Sequence, residues 1–331
     1  MEISLIFHGQ LSIEERSARV KIIEYKYPES PRLKGLAVAL GYFDGVHVGH
    51  RELIAMLVRE ARAKGFSPYV LTFADSLSKS KKTQSIIYNT EEKIRIFESL
   101  GVDGVIVADF YSVVSLSPES FVKEVLIDSF GTELAISGYN FRFGKGASAD
   151  SAKLVELMCL HGKSAIILSE QKIDGKPLSA TVIRELIANA RLDEATRMLG
   201  LPYSITGTVE RGLGLGKAYG FPTVNLPLRD TSPLGVGVYR TAVLVEGKLY
   251  TGVTNVGRCP TIAEREIHAE TLIADFDGDL YGKEIRIFFL GLLRPEKKFD
   301  SVDELREQIY LDKDRSIKEN GDLKWLATGL N

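Results

Sequence analysis

His47 and His50 are two of only five histidines in a chain of 331 residues, and they stand three apart in the run Gly41-Tyr-Phe-Asp-Gly-Val-His-Val-Gly-His50. The run leaves a short apolar segment and opens a helical pattern, so its backbone N–H groups are unpaired and lie at the positive end of a helix dipole. Phosphate is the natural guest of such a turn. Imidazoles at i and i+3 point to one side of a helix entry, where they can donate hydrogen bonds to charge developing on a phosphate. The chemistry this suits is nucleotidyl transfer. A zinc site is the weaker reading, because two histidines need a further ligand and the familiar zinc helix spaces them as His-Glu-x-x-His. A pair of incidental turn histidines is the plain alternative.

A second stretch with chemical character is Arg211-Gly-Leu-Gly-Leu-Gly-Lys-Ala-Tyr-Gly-Phe-Pro-Thr-Val-Asn225. It is glycine-rich but not a P-loop: Arg211 stands where that motif needs its first glycine, and Ala218 follows Lys217 where it needs serine or threonine. Nor is it a dinucleotide fingerprint, since Gly212, Gly214 and Gly216 are evenly spaced and no βαβ pattern surrounds them. A third kind of phosphate cradle is left. Downstream, Glu270 reads from composition alone as an outward-facing strand carboxylate. Asp275, Asp277 and Asp279 alternate like the ligands of a calcium loop, but Leu280 fills the position that needs glycine, so a turn is expected.

The elements that must position these residues follow two grammars. Leu36-Ala-Val-Ala-Leu40 is a wholly apolar run, and residues 49–64 then place Leu53, Ile54, Leu57, Val58 and Ala61 at helical spacing, with Gly65 as the cap. The alternation recurs with a strand at Tyr69–Phe73, a helix after Thr90 and a strand at Val105–Val107. A helix then opens at Ser117-Pro118 and closes near Gly131. A strand at Leu134–Ile136, a helix over 151–161 and a strand at Ala165–Leu168 complete it. Such a series predicts an α/β doubly wound parallel sheet. After Pro202 β-rich runs take over: Tyr239–Val245 and Leu249–Val253 about the turn Glu246-Gly-Lys248, then Glu270–Phe276 and Ile285–Leu290. A helix opened by the capping box Ser301-Val-Asp-Glu304 and running to about 318 closes the chain. This half predicts a small antiparallel β-barrel with a C-terminal helix. The expected division is residues 1–190, a connection over 191–202 containing Gly200-Leu-Pro202, and residues 203–331.

Composition narrows the partners. Hydrophobic residues make up 44% and charged residues 26%, with a net charge of -2, which advertises neither a nucleic-acid nor a membrane partner. Any anionic ligand must be held locally. No apolar run approaches the roughly 20 residues of a membrane span. Cys159 and Cys259 are isolated, the lysines from Lys79 to Lys82 read as a solvated loop, and the N-terminus lacks a signal-like pattern; a reduced, cytoplasmic location is expected.

The decamer ending at His50 resembles the nucleotide-binding turn of the bifunctional riboflavin kinase and FMN adenylyltransferase family, the prokaryotic FAD synthetases, with His47-Val-Gly-His50 matching the HxGH element of nucleotidyltransferases. Ser137-Gly-Tyr-Asn-Phe-Arg-Phe-Gly144 and Leu178-Ser-Ala-Thr-Val-Ile-Arg184 resemble two further segments of that family. In the second half, Phe221-Pro-Thr-Val-Asn225 resembles the Pro-Thr-Ala-Asn element of riboflavin kinases. Gly237-Val-Tyr239, Thr254-Asn-Val-Gly257 with Pro260-Thr261, Asp275–Gly282 and Arg294-Pro-Glu-Lys-Lys-Phe299 support it. The resemblance covers nearly the whole chain. It implies an enzyme that phosphorylates riboflavin to FMN in its C-terminal module and adenylylates FMN to FAD in its N-terminal module, taking riboflavin, FMN and ATP as small-molecule substrates with magnesium.

By the same resemblance, His47 and His50 serve adenylyl transfer, and Phe43, Asp44, Gly45, Gly49, Gly138, Asn140, Ser179, Thr181 and Arg184 bind ATP or flavin. In the C-terminal module Gly207, Gly212, Gly216, Gly220, Thr223, Asn225 and Arg294 bind substrate, Thr223 and Asn225 offer magnesium hard oxygens, and Glu270 is the general base. Two departures stand out. Thr72-Phe-Ala-Asp-Ser-Leu77 replaces the family's Thr-Phe-x-Pro-His-Pro, and Ala180 removes one hydroxyl that could donate to phosphate. They keep two alternatives open: a riboflavin kinase with impaired or lost adenylyltransferase activity, and a non-catalytic flavin-binding regulator.

Overall fold

The computed structural model describes residues 20–74, 85–173, 175–210, 221–228, 232–258 and 267–330. Gly212, Gly216 and Gly220 therefore lie outside the described residues, as do Lys79 to Lys82, Cys259, Pro260, Thr261 and residues 75–77 of the altered segment. The chain forms two compact units that interleave in sequence. One holds the described residues up to Gly41, with Leu53–Ala74 and Ile94–Leu168; the other holds Tyr42–Glu52, the described residues from 85 to Lys93, and those from Ser169 onward.

In the first unit six strands form one parallel sheet: β1 (Lys21–Tyr25), β2 (Leu36–Leu40), β3 (Ser67–Phe73), β4 (Gly104–Ala108), β5 (Thr132–Gly138) and β6 (Ser164–Leu168). Their order across the sheet is β1-β4-β3-β2-β5-β6. All five residues of β2 are buried, as a central strand covered on both faces requires. Its helix α1 (Val48–Lys64) buries Leu53, Ile54, Leu57 and Ala61 at helical spacing. Gly65, at φ +71°, ends α1 with the Phe66 N–H bonded to the Ala61 carbonyl at 2.9 Å. Truncating Ile54 or Leu57 to alanine removes fully buried methyl groups, a change that typically costs about 2–5 kcal/mol.

Helices α2 (Thr90–Ser99) and α4 (Ser151–Leu160) match the sequence expectation, and α3, made of Pro118–Ser120 and its continuation Phe121–Ser129, differs in its winding. Ser117 caps α3 as read, accepting the Ser120 N–H, and Pro118 stands in the first turn. From Phe121 to Ser129, however, it is a π-helix. Its buried residues recur in pairs every four positions, Phe121 with Val122 and Val125 with Leu126, followed by Ser129 and Phe130. That period is wider than 3.6, and the wider winding keeps the pairs turned toward the core of Tyr25, Val38, Leu71 and Ile106.

The second unit carries helices α5 (Ala180–Ala188) and α6 (Leu192–Leu199), so the connection expected over 191–202 is largely helical and ends at Gly200 with φ +83°. A nearly closed antiparallel barrel follows, built of β7 (Ser204–Thr208), β8 (Thr223–Leu228), β9 (Gly237–Val245), β10 (Lys248–Arg258), β11 (Ile267–Ile273) and β12 (Glu284–Arg294). Their order is β7-β12-β9-β10-β11-β8, and a bridge between Glu210 and Asn225 brings the two edges together. Positive φ at Glu246 and Gly247 makes the tight β9–β10 turn that the sequence marks. Helix α7 (Val302–Asn320) begins as read, with the Ser301 hydroxyl accepting the Glu304 N–H. The Glu304 carboxylate reaches back to the Asp300 N–H rather than to Ser301. Buried Ser316 and Asn320 of α7 donate to the Gly252 and Thr241 carbonyls at 2.8 and 2.9 Å, which fixes the helix on the barrel. Helix α8 (Lys324–Leu330) had no sequence counterpart.

Candidate functional site

The turn after β2 is a strained entry to α1. Phe43 is left-handed at φ +54°, Gly45 at +74° and Val46 at +38°. A Cβ on Gly45 would come within 2.8 Å of the Ile87 side chain, so glycine is required there by both conformation and space. Asp44 is 5% exposed and holds the turn from beneath: it accepts the Ile87 N–H at 3.0 Å and pairs with the Arg184 guanidinium at 2.5 Å. Burial pushes the Asp44 carboxyl up, against the Ile87 N–H and the charges of Arg184 and Lys93, which draw it down.

His47 and His50 stack face to face, ring centroids 3.6 Å apart, with Phe43 edge-on to His50. The His50 N–H points at His47 Nδ1 at 3.3 Å, which places the hydrogen of the neutral His47 ring on Nε2. Burial pulls the His47 pKa down to about 4, and burial with the neighbouring His47 and Lys93 pulls His50 well below its ordinary value. Both imidazoles are therefore neutral at physiological pH. Gly49 lets the start of α1 approach its neighbours: a Cβ there would lie 3.2 Å from Leu178 and 3.5 Å from the His47 ring.

Ser179 caps α5 by accepting the Thr181 N–H, and Thr181 Oγ1 accepts from Arg184 at 2.9 Å. Each hydroxyl keeps its own hydrogen to donate. Thus Phe43, Asp44, Gly45, His47, Gly49, His50, Ser179, Thr181 and Arg184 belong to one unit, and Asp44 and Arg184 touch directly. Gly138 and Asn140 lie in the first unit, at the carboxyl end of β5, where the Gly138 carbonyl accepts the Ser151 hydroxyl at 2.7 Å and Asn140 is exposed.

In the barrel, register does what the sequence does not display. Asn225 of β8 stands opposite Glu270 of β11, Glu270 opposite Asn255 of β10, Asn255 opposite Val238 of β9, and Val238 opposite Arg294 of β12. Directly opposed residues share a face, so Asn225, Glu270, Asn255 and Arg294 form one row across the sheet. Thr223, Leu272 and Val253 form the next row on that face. On the other face, the buried hydroxyls of Thr241, Thr254 and Thr271 link in a chain with both contacts at 2.9 Å.

Apart from Asn225, the members of these two rows line a cavity of about 610 Å³, with Phe221, Phe299, and Leu305, Ile309 and Asp312 of α7 among its other walls. Thr223 donates its hydroxyl hydrogen to Glu270 Oε1 at 2.7 Å, leaving its lone pairs to a cation and Glu270 Oε2 without a partner among the described residues. Arg294 is held by Asp312 through contacts of 2.8 and 2.9 Å, with its guanidinium 5.6 Å from the Phe299 ring centre. Gly207 lies in β7 opposite Ile285 and is not among the described residues that line the cavity. Asn255 and Asp312 join the site without having been singled out from sequence. Asn255 had a signal, since it falls within Thr254-Asn-Val-Gly257, whereas Asp312 reads as one more charge on a polar helix.

Comparison with known proteins covers both units. The family model for FAD synthetase matches residues 29–182, and that for riboflavin kinase matches residues 199–319. The bifunctional riboflavin kinase/FMN adenylyltransferase of Bacillus subtilis is 33% identical over 87% of this chain and 93% of its own. That of Escherichia coli K12 is 33% identical over 84% and 91%. A crystal structure described as a macrolide-efflux protein from Streptococcus pneumoniae superposes with a TM-score of 0.78 at 27% identity, covering 92% of this chain and all of that one. With two family models in order and relatives above 30% identity along nearly their full length, the chain belongs to the bifunctional riboflavin kinase/FMN adenylyltransferase family.

Proposed function

We propose that this chain converts riboflavin to FMN and FMN to FAD, each step with ATP, the first in a kinase module of residues 203–331 and the second in an adenylyltransferase module of residues 1–190 joined by 191–202. The observation that carries the kinase step is the Thr223–Glu270 contact of 2.7 Å at the wall of a cavity large enough for a flavin. Glu270 accepts the proton of the ribityl hydroxyl as its oxygen bonds to the γ-phosphorus and the bond to ADP breaks. Thr223 and Asn225 are neutral oxygens of the kind magnesium takes when it shares its shell with phosphates, and their donor chemistry fits that ion. Magnesium there would neutralise triphosphate charge. Arg294, fixed by Asp312, adds a cation on the same face.

In the adenylyl step an FMN phosphate oxygen bonds to the α-phosphorus of ATP as the bond to pyrophosphate breaks. That nucleophile is already anionic, so the step needs hydrogen-bond donors rather than a base. Neutral His47, with its Nε2–H, supplies one, and the hydroxyls of Ser179 and Thr181 at the start of α5 supply others. Asn140 is assigned to substrate contact on the motif it shares with the family. No helix among the described residues is long and apolar enough to cross a membrane, and we place the enzyme in the cytoplasm.

The test separates the two reactions. Riboflavin with ATP should yield FMN, and FMN with ATP should yield FAD. A His47→Ala, His50→Ala double variant should lose FAD formation by at least about a hundredfold, within the span of general acid–base and hydrogen-bond catalysis, while phosphorylating riboflavin at the parental rate. FAD formation unchanged in that variant defeats the assignment of the histidines.

A further inference from the structure

Glu296 stands in the segment between β12 and α7 and lines the barrel cavity. Its carboxylate lies against Gly257 of β10: a Cβ on that glycine would overlap Glu296 Oε1, and Asn255 Nδ2 lies 3.4 Å from the same point. Gly257 is two residues beyond Asn255 and stands opposite His268, itself two residues before Glu270. It therefore belongs to the row beside that of Glu270, on the same face, with the Thr223, Leu272 and Val253 row on the opposite side. Adjacent rows are about 7 Å apart, two residues along a strand. Glu296 thus places an acceptor one row from Glu270, with the Asn255 amide beside it.

The donor and acceptor pattern of this pair selects its guest. A carboxylate only accepts hydrogen bonds, and an amide nitrogen only donates them. A hydroxyl does both, so an acceptor and a donor side by side complement an alcohol. A phosphate is repelled by the carboxylate, which puts the triphosphate of ATP on the Thr223 side of Glu270. Neither Glu296 nor Asn255 has a side-chain hydrogen bond to another of the described residues, so both are open to substrate. Riboflavin brings alcohols to them: besides the terminal hydroxyl that reacts, its ribityl chain carries inner hydroxyls along the same chain.

We propose that Glu296, with Asn255 beside it, is a specificity-determining contact of the kinase step: it accepts hydrogen bonds from the inner hydroxyls of the ribityl chain while Glu270 takes the proton of the terminal one. This rests on the riboflavin kinase reading above. Gly257 makes the contact possible. Its backbone lies outside the left-handed region, so alanine could adopt the same conformation, and the demand for glycine comes from the carboxylate laid over it. A methyl group there would push Glu296 away from Asn255 and out of reach of the chain.

The probe is a riboflavin analogue whose ribityl chain is replaced by a 5-hydroxypentyl chain, which keeps the ring, the chain length and the reacting hydroxyl and lacks the inner ones. Its Ki against riboflavin phosphorylation, divided by the KM of riboflavin, reads the preference at the kinase site whether or not the analogue turns over. In the full-length parent the ratio should favour riboflavin. In Glu296→Ala it should shrink at least about fivefold, the contribution of one hydrogen bond at an exposed carboxylate, through a higher KM for riboflavin with the Ki unchanged. Gly257→Ala should do the same, and the double variant should lose no more than either alone. A ratio that shrinks less than about fivefold in Glu296→Ala overturns the proposal, as does an equal weakening of both flavins, which loss of a metal ligand, of a contact to the flavin ring or of packing would give. If Glu296→Ala does not fold, Gly257→Ala decides by the same criterion. A parent that does not phosphorylate riboflavin sinks the kinase reading and this one with it, whereas a parent that does so beside variants with an unchanged ratio sinks this one only.

Discussion

Replacing Glu270 by glutamine removes its ability to take a proton while keeping an acceptor for the Thr223 hydroxyl, 2.7 Å away in the native protein. A hydrogen bond to a charged acceptor contributes about 1.5–3 kcal/mol and one to a neutral acceptor about 1, and this pair is only part-buried, so the folding cost of Glu270→Gln is about 1 kcal/mol. Melting should drop by only a few degrees. Loss of a general base, by contrast, lowers the rate about 10²–10⁴-fold, or about 3–5 kcal/mol of barrier. The two magnitudes differ enough to be told apart in one preparation. The assay follows FMN formation from riboflavin and ATP at saturating substrate, with FAD formation from FMN as the internal control and thermal unfolding alongside. A phosphorylation rate within tenfold of the parent refutes the role of Glu270. A fall matched by an equal fall in FAD formation attributes the effect to folding instead.

Two further outcomes follow from buried charge. Asp312→Ala leaves the Arg294 guanidinium without its carboxylate partner; the Asp312 side chain is 6% exposed and that of Arg294 20%, which puts the loss at about 3 kcal/mol, the low end for breaking a buried pair. Urea unfolding should show it, and riboflavin phosphorylation should weaken while FAD formation persists. For pH, the His47 pKa is about 4 in the folded chain against an ordinary value near 6.5, so the unfolded chain binds the proton first as pH falls. Stability is fully present above about pH 6.5 and is lost toward pH 4, by about 3 kcal/mol from this group, with His50 adding in the same direction. Urea midpoints at about pH 7, 5.5 and 4.5 should trace that fall in the parent and a shallower one in His47→Ala; equal slopes refute the buried neutral imidazole.

Wherever local periodicity decides, sequence reading and structure agree. The wholly apolar β2, the α1 stripe with its Gly65 cap, the Ser117-Pro118 helix start and the Glu246-Gly-Lys248 turn are each written in a few adjacent residues. Strand β1 was missed because Lys21-Ile-Ile-Glu-Tyr25 sits at the sheet edge and buries only Tyr25 fully, so its pattern neither alternates nor stays apolar. Strand β7 was missed because Gly207 interrupts a short run. Motif matching found His47, His50, Thr223 and Glu270, since catalytic chemistry constrains residue type along the chain. It did not find Asp312, whose importance lies in the Arg294 guanidinium that it faces across space; along a polar helix nothing local distinguishes a solvated carboxylate from a buried one.

The row of Asn225, Glu270, Asn255 and Arg294 carries a consequence for how such a barrel can change over time. Each member owes its place to pairing parity, so one residue inserted into or deleted from β11 would exchange Glu270 for Ala269 or Thr271, which face the other side. The site has no graded intermediate in that direction: a strand in register presents the carboxylate, and a strand one step out presents a methyl or a hydroxyl. Differences in length among such chains must therefore be absorbed between strands or in bulges away from Glu270, such as the register shifts between β9 and β12.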